Sequence, residues 1–395
     1  HKGKRYAMQG LMQDWPLLVP TILDHARLYH PEREVVSRSV EGPIHRYTYG
    51  DMHGRAKRCA KALTRLGVKR GQVVATLAWN TYRHMEAWYG IMGIGAVCHT
   101  LNPRLFLDQL AYIANHAEDQ YLLLDLTFVP LAEAMVARCP SIKGYIILTD
   151  RAHMPETKLP NALCYDELLD AEDEAFDWVR VDERDAAGLC YTSGTTGNPK
   201  GVVYSHRSNV LHALSINQAD FLGLRSVDAV MPIVPLFHPN ASGLLSAAPM
   251  TGAKMVHPGG KLDGASVHQL IMEEGVSVTA AVPTVWLGLL QYLDANPELR
   301  LNKLERVVVG GAACPPVVMD KFENNYGVTI LHGWGMTEMS PVGRMSRLKA
   351  SHEHLPRSQQ MQYKLKQGRP PYMVEMKLVD DAGKELPRDG KTFGH

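Results

Sequence analysis

Short apolar segments alternate with amphipathic segments along most of this chain, and this alternation restricts the fold more than any other feature of the sequence. Residues 72–77 and 121–125 are typical of strands. Residues 52–66 carry apolar side chains at helical spacing, and Gly67 follows as a helix stop. Buried strands that alternate with helices form mostly parallel sheets covered on both faces. The sequence therefore predicts an α/β protein.

The pattern continues on both sides of a polar, acidic connection at residues 149–185. The predicted strands are 72–77, 121–125, 145–148, 187–191, 229–233, 254–257, 276–281, 306–309 and 328–331. Helices are predicted at 82–94, 129–137 and 208–221. Residues 372–379 alternate again, and a turn is predicted at 380–383. The two runs predict two sheet-based subdomains, residues 1–185 and 186–345, followed by a further unit at 346–395.

Residues 229–253 contain no charged side chain and are long enough to cross a bilayer. Helix breakers and polar groups interrupt them, namely Pro232, Pro235, His238, Pro239, Asn240, Gly243, Pro249 and Gly252. The segment is therefore predicted to form a buried strand, loop and helix rather than a membrane span.

Charge and cysteine content exclude several classes of protein. With 42 basic and 41 acidic residues, the net charge of +1 gives no support to nucleic-acid binding by bulk electrostatics. The six cysteines form no Cys-x-x-Cys motif, which argues against a zinc ribbon or redox pair. Dispersed thiols fit a reducing cytoplasm, and no apolar segment of a signal peptide follows the basic residues 1–5.

The loop at residues 191–201, Tyr-Thr-Ser-Gly-Thr-Thr-Gly-Asn-Pro-Lys-Gly, follows a predicted strand. Its glycines allow tight turns that present backbone N–H groups, and its hydroxyls and Lys200 add further donors. The spacing is not that of a Walker A loop. A flexible surface turn is the alternative, but the density of donors favours phosphate binding.

This loop resembles the phosphate loop of the adenylate-forming superfamily, which includes acyl-CoA synthetases, luciferases and nonribosomal adenylation domains. Residues 235–238, 310–314, 333–338 and 368–370 resemble further motifs of that superfamily in the required order. Residues 78–80 and 102–104 also resemble bacterial medium-chain fatty acyl-CoA synthetases and methylmercaptopropionate-CoA ligases. The resemblance covers essentially the whole chain.

Each motif also has a chemical interpretation and a simpler one. Thr337 offers a hydroxyl for a phosphate oxygen and Glu338 a carboxylate for Mg²⁺, although such a pair also caps helices. Trp334 offers a flat face for adenine but could equally be a core aromatic. Gly310 and its neighbour allow close approach of a ligand, or form a plain turn. A lone His238 is usually a buried, satisfied side chain; the resemblance implies that it gates the acyl pocket.

The resemblance implies three sets of site residues. The ATP-binding residues would be Thr192, Ser193, Gly194, Thr195, Thr196, Gly197, Lys200, Gly311, Ala312, Ala313, Cys314, His332, Gly333, Trp334, Gly335, Met336 and Thr337. The acyl pocket would comprise His238, Pro239, Asn240, Ser242, Gly243, Val282, Thr284, Gly310, Met336 and Met339. The catalytic residues would be Thr337, Glu338, His238 and Lys200, with Glu338 as the metal ligand.

The resemblance also implies a two-step ligase. A medium-chain fatty or similar carboxylate would attack ATP, with Mg²⁺, to give an acyl-adenylate, and coenzyme A would then displace AMP. The implied fold is a layered αβαβα arrangement with a small distorted β-barrel that begins in residues 346–395, and a homodimer is plausible. The family continues beyond residue 395 into a small C-terminal domain that is absent here, so we expect the chain alone to be impaired.

The sequence departs from the family pattern at two positions. Ser242 stands where a bulkier side chain, often Trp, is expected, so the acyl pocket should accept longer or bulkier acids. Met373 stands where Gly is expected after the Gly-x-Pro motif, which puts the local turn in doubt.

An amino-acid or aryl-acid adenylating enzyme shares the loop, but residues 238–242 offer no carboxylate for a substrate ammonium. A nucleotide-binding fragment without full activity is the other alternative.

Overall fold

Two largely parallel β-sheets organise the fold, as the alternating segments predict. The computed structural model describes residues 7–192 and 197–395. The strands are β1 (Glu34–Arg38), β2 (Ile44–Thr48), β3 (Val73–Leu77), β4 (Val97–Thr100), β5 (Asp119–Leu124), β6 (Gly144–Ile147), β7 (Ala162–Cys164), β8 (Ala186–Thr192), β9 (Lys200–Ser205), β10 (Ala229–Pro232), β11 (Lys254–His257), β12 (Val278–Ala281), β13 (Arg306–Val309), β14 (Thr329–Gly335) and β15 (Val342–Met345).

The α-helices lie between these strands. They are α1 (Pro20–Tyr29), α2 (Tyr49–Arg65), α3 (Tyr82–Gly93), α4 (Leu107–His116), α5 (Val129–Met135), α6 (Tyr165–Asp170), α7 (His206–Ile216), α8 (Leu244–Thr251), α9 (Gly264–Glu273), α10 (Pro283–Ala295), α11 (Pro316–Tyr326) and α12 (Arg357–Lys364). Hydrogen-bonding side chains at the N-cap set several helix starts, such as Thr48 at α2 and Ser205 at α7.

The seven-stranded sheet has the order β7-β6-β5-β3-β4-β8-β9, and only its last pair, β8 and β9, is antiparallel. The eight-stranded sheet has the order β15-β14-β13-β12-β10-β11-β1-β2, with an antiparallel pair at each edge. This confirms the prediction of two mostly parallel sheets.

Three apolar clusters show how the layers stack. The largest cluster joins apolar residues of both sheets to α1, α2, α3, α7 and α8, so these helices form a central layer. Every residue of α3 is accordingly buried. A second cluster covers the other face of the eight-stranded sheet with α9, α10 and α11, and a third covers the seven-stranded sheet with α4 and α5. The layered αβαβα arrangement is therefore confirmed.

The sheets do not follow the expected boundary at residue 185. The early hairpin β1-β2 belongs to the eight-stranded sheet, whereas β8 and β9 belong to the seven-stranded sheet. β1 pairs in parallel with β11, more than two hundred residues later, in the register Val35↔Met255. As a division into subdomains, the boundaries at 185 and 345 stay a prediction.

The acidic connection is more structured than the sequence indicates. It contains β7 and α6, and Arg55 and Arg83 both bind the carboxylate of Asp166. Its acidic side chains are therefore used partly as ion-pair partners of the central helices rather than as a solvated linker. Neither β7 nor α6 is among the strands and helices that the sequence predicts.

Residues 346–395 contain α12 and two isolated bridges, Met345↔Arg369 and Val379↔Glu385. The predicted turn at 380–383 is confirmed by the hydrogen bond from Gly383 N to Asp380 O, 2.9 Å. No strand forms at 372–379, and a φ of +83° at Met373 interrupts the extended backbone there. Within this described segment no closed barrel is formed, so the barrel stays a prediction.

The uncharged segment at 229–253 forms β10, a turn and α8, as predicted. Among the described residues, no helix is both long and apolar enough to cross a membrane.

His84 links the end of β3 to the loop that follows it. Its Nε2 lies 2.8 Å from Thr76 Oγ1, and its Nδ1 lies 2.9 Å from Trp79 O. The side chain is completely buried, and this burial lowers the pKa of His84 to about 4.

The His84→Gln variant tests this burial. When the pH falls from about 7.5 to about 5, the unfolded chain takes up a proton at His84 and the folded chain does not. The free energy of unfolding should therefore fall by about 2 kcal/mol more in the wild type than in the variant. Urea unfolding at the two pH values measures the difference. An equal loss in both proteins would contradict the prediction.

Candidate active site

The carboxyl ends of β12, β13 and β14 lie side by side, and loops leave each strand at this edge. Gly310 N donates to Ala281 O at 3.2 Å. A Cβ atom on Gly311, whose φ is +80°, would lie 3.0 Å from Val282 Cγ1. A Cβ atom on Gly310 would lie 3.6 Å from Gly333 O. The predicted adenine motif thus lies at the carboxyl edge of a parallel sheet, where ligands of open α/β sheets bind.

The loop after β13 presents bare backbone to solvent. Gly311, Ala312 and Ala313 are exposed, so a planar ligand can approach their peptide groups without displacing a large side chain. Cys314 is buried, and burial raises the pKa of its thiol to about 11. At neutral pH Cys314 is therefore a protonated core residue with no nucleophilic role.

Trp334 is half-buried on β14 and packs beside a glycine of the neighbouring strand. A Cβ atom on Gly343 would lie 3.1 Å from Trp334 Cζ3 and 2.7 Å from Met339 Cε. Gly343 thus gives both side chains room. His332 is different, because its buried ring donates from Nδ1 to Leu365 O at 3.0 Å. Any contact of His332 with a nucleotide would be made by its backbone.

The Thr337–Glu338 turn is tied at both sides. Met336 N donates to Pro341 O at 2.9 Å and closes the turn. Tyr204 Oη donates to Thr337 O at 2.5 Å. Burial, followed by the neighbouring Cys190 and Glu338, raises the pKa of Tyr204, so its phenol keeps the proton that it donates.

Two charged side chains of the predicted motifs are exposed, and neither has an ion-pair partner within the described part of the chain. They are the Glu338 carboxylate and the Lys200 ammonium. A carboxylate is a hard oxygen ligand of the kind that Mg²⁺ prefers. An ammonium can neutralise phosphate oxygens. Both are therefore available to a ligand.

The predicted phosphate loop connects two antiparallel strands. β8 pairs with β9 in the register Thr192↔Lys200, and Thr192 Oγ1 lies 3.4 Å from Lys200 O. Gly197 has a φ of +99°, which only glycine adopts readily. The predicted residues Ser193, Gly194, Thr195 and Thr196 lie outside the described residues. Because Tyr204 is also on β9, one hairpin carries the loop and contacts the Thr337–Glu338 turn.

The predicted acyl side begins at His238. The Arg104 guanidinium lies 5.7 Å from the centroid of the Phe237 ring. Partial desolvation of the His238 ring, and then the charge of Arg104, lower the pKa of His238. The imidazole is therefore neutral at neutral pH.

Four consecutive residues, Asn240–Gly243, have positive φ values of 52°, 50°, 56° and 78°. Non-glycine residues each pay roughly 1–2 kcal/mol for this conformation, so tertiary contacts must hold it. Asn240 is 3% exposed, and its Oδ1 accepts from Trp88 Nε1 at 3.1 Å. The Asn240 side chain thus supports the turn from the core, whereas Ser242 is half-buried above it.

The remaining predicted acyl residues lie at the same edge of the sheet. Pro239 is buried, Val282 and Met339 are half-buried, and Thr284 and Met336 are exposed. Sequence reasoning missed Tyr204, His212 and Trp88, which hold the loops in place. Tyr204 escaped notice because β9, with exposed Lys200 and Gly201 at its start, carries no clear strand pattern.

Solved structures of CoA ligases share this fold. The chain superposes on an anthranilate CoA ligase in complex with anthranoyl-AMP with a TM-score of 0.80 and 23% identity, over 95% of this chain and 68% of the other. A long-chain-fatty-acid-CoA ligase from Archaeoglobus fulgidus gives a TM-score of 0.81 and 21% identity, over 97% and 75%. At these identities the likeness establishes the fold.

The sequence comparisons establish the family. The chain is 46% identical to 3-methylmercaptopropionyl-CoA ligase of Ruegeria lacuscaerulensis over 98% of this chain and 72% of that protein. It is 44% identical to medium-chain-fatty-acid–CoA ligase of Ectopseudomonas oleovorans over 98% and 71%. The AMP-binding enzyme family matches residues 23–395. This protein therefore belongs to the AMP-binding enzyme family.

Proposed function

We propose that this protein is an AMP-forming acyl-CoA synthetase that activates a medium-chain fatty or similar carboxylic acid. One observation carries the proposal: Tyr204, on the hairpin that carries the predicted phosphate loop, donates to Thr337 O and so ties this hairpin to the turn with the exposed Glu338 carboxylate. The names of the relatives, acyl-CoA ligases of medium-chain and methylmercaptopropionic acids, support it.

In the first step, a substrate carboxylate oxygen attacks the α-phosphorus of ATP. A P–O bond forms to the acyl oxygen, and the bond to the β-phosphate oxygen breaks to release pyrophosphate. Lys200 and the loop hydroxyls hold the β- and γ-phosphates, and the Thr337 hydroxyl orients the α-phosphate. Glu338 would hold Mg²⁺, which would supply charge neutralisation on the phosphates. Positioning and electrostatic stabilisation account for such a reaction.

In the second step, the thiol sulfur of coenzyme A attacks the acyl carbonyl carbon and its proton passes to solvent; a C–S bond forms, and the C–O bond to AMP breaks to release AMP. The protein needs no covalent nucleophile for either step. This agrees with its cysteines, since all six are free and buried. Burial raises the pKa of Cys190 and of Cys314 to about 11.

The acid is one without an ammonium group. Residues 238–242 carry no carboxylate, and a buried substrate ammonium without a partner would be costly. Pyrophosphate release with octanoate, with amino acids, with benzoate and without acid tests the proposal. Release only with octanoate supports it, whereas release with amino acids or benzoate favours another adenylating enzyme. ATP binding without release in every arm favours a nucleotide-binding protein.

The cellular setting belongs to the same proposal. Six free, buried thiols fit the reducing cytoplasm, and a homodimer is expected from the family resemblance. Light scattering coupled to size exclusion measures the molar mass in solution, and a mass equal to that of one chain would refute the dimer.

The Ser242→Trp variant should shift the preference toward shorter acids. Ser242 is half-buried in the left-handed turn, and an indole there would fill space that an acyl chain would otherwise use. The ratio of kcat/KM for octanoate to that for butyrate should fall about tenfold or more, since each methylene excluded from an apolar pocket is worth roughly 1–3 kcal/mol. Ser242→Ala is the matched control. An unchanged kcat/KM ratio across the acid series would contradict the prediction.

A further inference from the structure

His212, on α7, contacts two loops of the site that are distant in sequence. Its Nε2 accepts a hydrogen bond from Val342 N at 3.1 Å. On its other side the ring lies against Gly243, where a Cβ atom would come within 2.4 Å of Nδ1 and 2.6 Å of Cε1. The side chain is 7% exposed, so water cannot replace these contacts.

The hydrogen bond requires a particular protonation state. Nε2 accepts only when it carries no proton, so the neutral ring holds its proton on Nδ1. Burial lowers the pKa of His212 to about 4, and the ring is accordingly neutral at neutral pH. The acceptor is therefore present at neutral pH.

The two contacted positions end the two loops that carry the chemistry. Val342 follows Pro341, whose carbonyl accepts from Met336 N and closes the turn that contains Thr337 and Glu338. Gly243 is the last residue of the left-handed turn and directly follows Ser242. A movement of either loop must therefore displace the same imidazole ring.

We propose that His212 is a positioning residue that couples the acyl-side turn at Asn240–Gly243 to the Thr337–Glu338 turn. The inference rests on the proposed function of the site and adds to it a residue outside the recognised motifs. A well-fitting acid seated against Ser242 and Gly243 keeps the ring in place, and the ring holds the catalytic turn in its reactive geometry. A poorly fitting acid shifts Gly243 and loosens the turn, so the preference of the enzyme among acids appears in kcat.

Two substitutions of His212 separate the hydrogen bond from the bulk of the ring. In His212→Leu the Val342 N–H loses its acceptor, and kcat for octanoate-dependent pyrophosphate release should fall about tenfold or more while KM for ATP changes less than about threefold. In His212→Gln the side-chain Oε1 can accept from Val342 N, and most of the kcat should return. The octanoate-to-butyrate ratio of kcat should flatten in the Leu variant only.

The Gly243→Ala variant tests the second contact. Its methyl group would meet the ring at 2.4 Å, so the variant should lower kcat in the wild-type background. In a His212→Ala background the same substitution should cost at least about fivefold less, because the ring is gone. Equal costs in the two backgrounds would contradict the coupling.

Amide hydrogen exchange of residues 336–342 makes the test independent of turnover. Faster exchange at Val342 in His212→Leu than in wild type and His212→Gln supports the positioning role. Unchanged exchange and unchanged kcat overturn it, as does a lowered thermal midpoint with kcat and exchange intact. Absence of acid-dependent pyrophosphate release in the wild type refutes the proposed function, and the exchange data then still decide the role of His212. If the Leu variant does not fold, His212→Gln and Gly243→Ala carry the test.

Discussion

The Glu338→Gln variant should lose acid-dependent pyrophosphate release by about 10²- to 10³-fold, because a preorganised charge that acts on the reacting phosphates is among the largest contributions to such catalysis. The carboxylate is exposed and has no ion-pair partner within the described part of the chain. Glutamine keeps the size of the side chain, and the turn is held by backbone contacts of Met336 and Thr337. The loss should therefore reflect the missing charge rather than a collapsed turn.

The measurement is the rate of pyrophosphate release at saturating octanoate over a Mg²⁺ titration. The variant should need more Mg²⁺ and remain slow when Mg²⁺ is saturating. Glu298→Gln is the matched control, since Glu298 is an exposed glutamate in the segment after α10 and far from the motifs in sequence. If the Mg²⁺ dependence of the Glu338 variant equals that of the wild type, Glu338 is not the metal ligand.

The sheets could be predicted because their strands are short, apolar and uncharged. The strands at 254–257 and 306–309 have the predicted bounds, and all the other predicted strands up to residue 331 are present with small shifts. β1, β2, β4, β7, β9 and β15 were missed. All except the internal, four-residue β4 lie at or beside a sheet edge, where pairing depends on distant partners, as that of β1 depends on β11, rather than on local pattern.

The motifs of the site could be predicted, but the contacts that orient them could not. Tyr204 and Thr337 are 133 residues apart, His212 and Val342 are 130 apart, and Trp88 and Asn240 are 152 apart. Each is a single hydrogen bond between segments that only the folded sheets bring together. No spacing rule of a linear sequence contains that information.

The left-handed turn at Asn240–Gly243 illustrates the same limit. Only its last residue is a glycine, so the sequence gives no reason to expect four positive φ values in a row. The Trp88 indole on one side and the His212 ring on the other compensate for the local preference of Ala241 and Ser242. The surrounding packing stabilises this strained backbone, which lies beside the proposed acyl site.

The Gly335→Ala variant should lower kcat by about 10²-fold or more, since displacing a catalytic group by about 1 Å can cost that much. Gly335 lies between Trp334 and the Thr337–Glu338 turn, where β14 departs from regular pairing with β15. A Cβ atom on Gly335 would lie 2.2 Å from Pro341 O and 2.8 Å from its carbonyl carbon. Because both are backbone atoms, the turn itself must move.

The displaced Pro341 carbonyl is the acceptor for Met336 N, so the added methyl group breaks the bond that closes the catalytic turn. Because the clash is confined to this one edge of the sheet, the thermal midpoint should change much less than kcat. Gly288→Ala, in the middle of α10 with no atom within 4 Å of the added methyl, is the control and should keep full activity with slightly higher stability. Full activity of Gly335→Ala would mean that the turn tolerates the shift and that Thr337 and Glu338 are not held by the Met336–Pro341 bond.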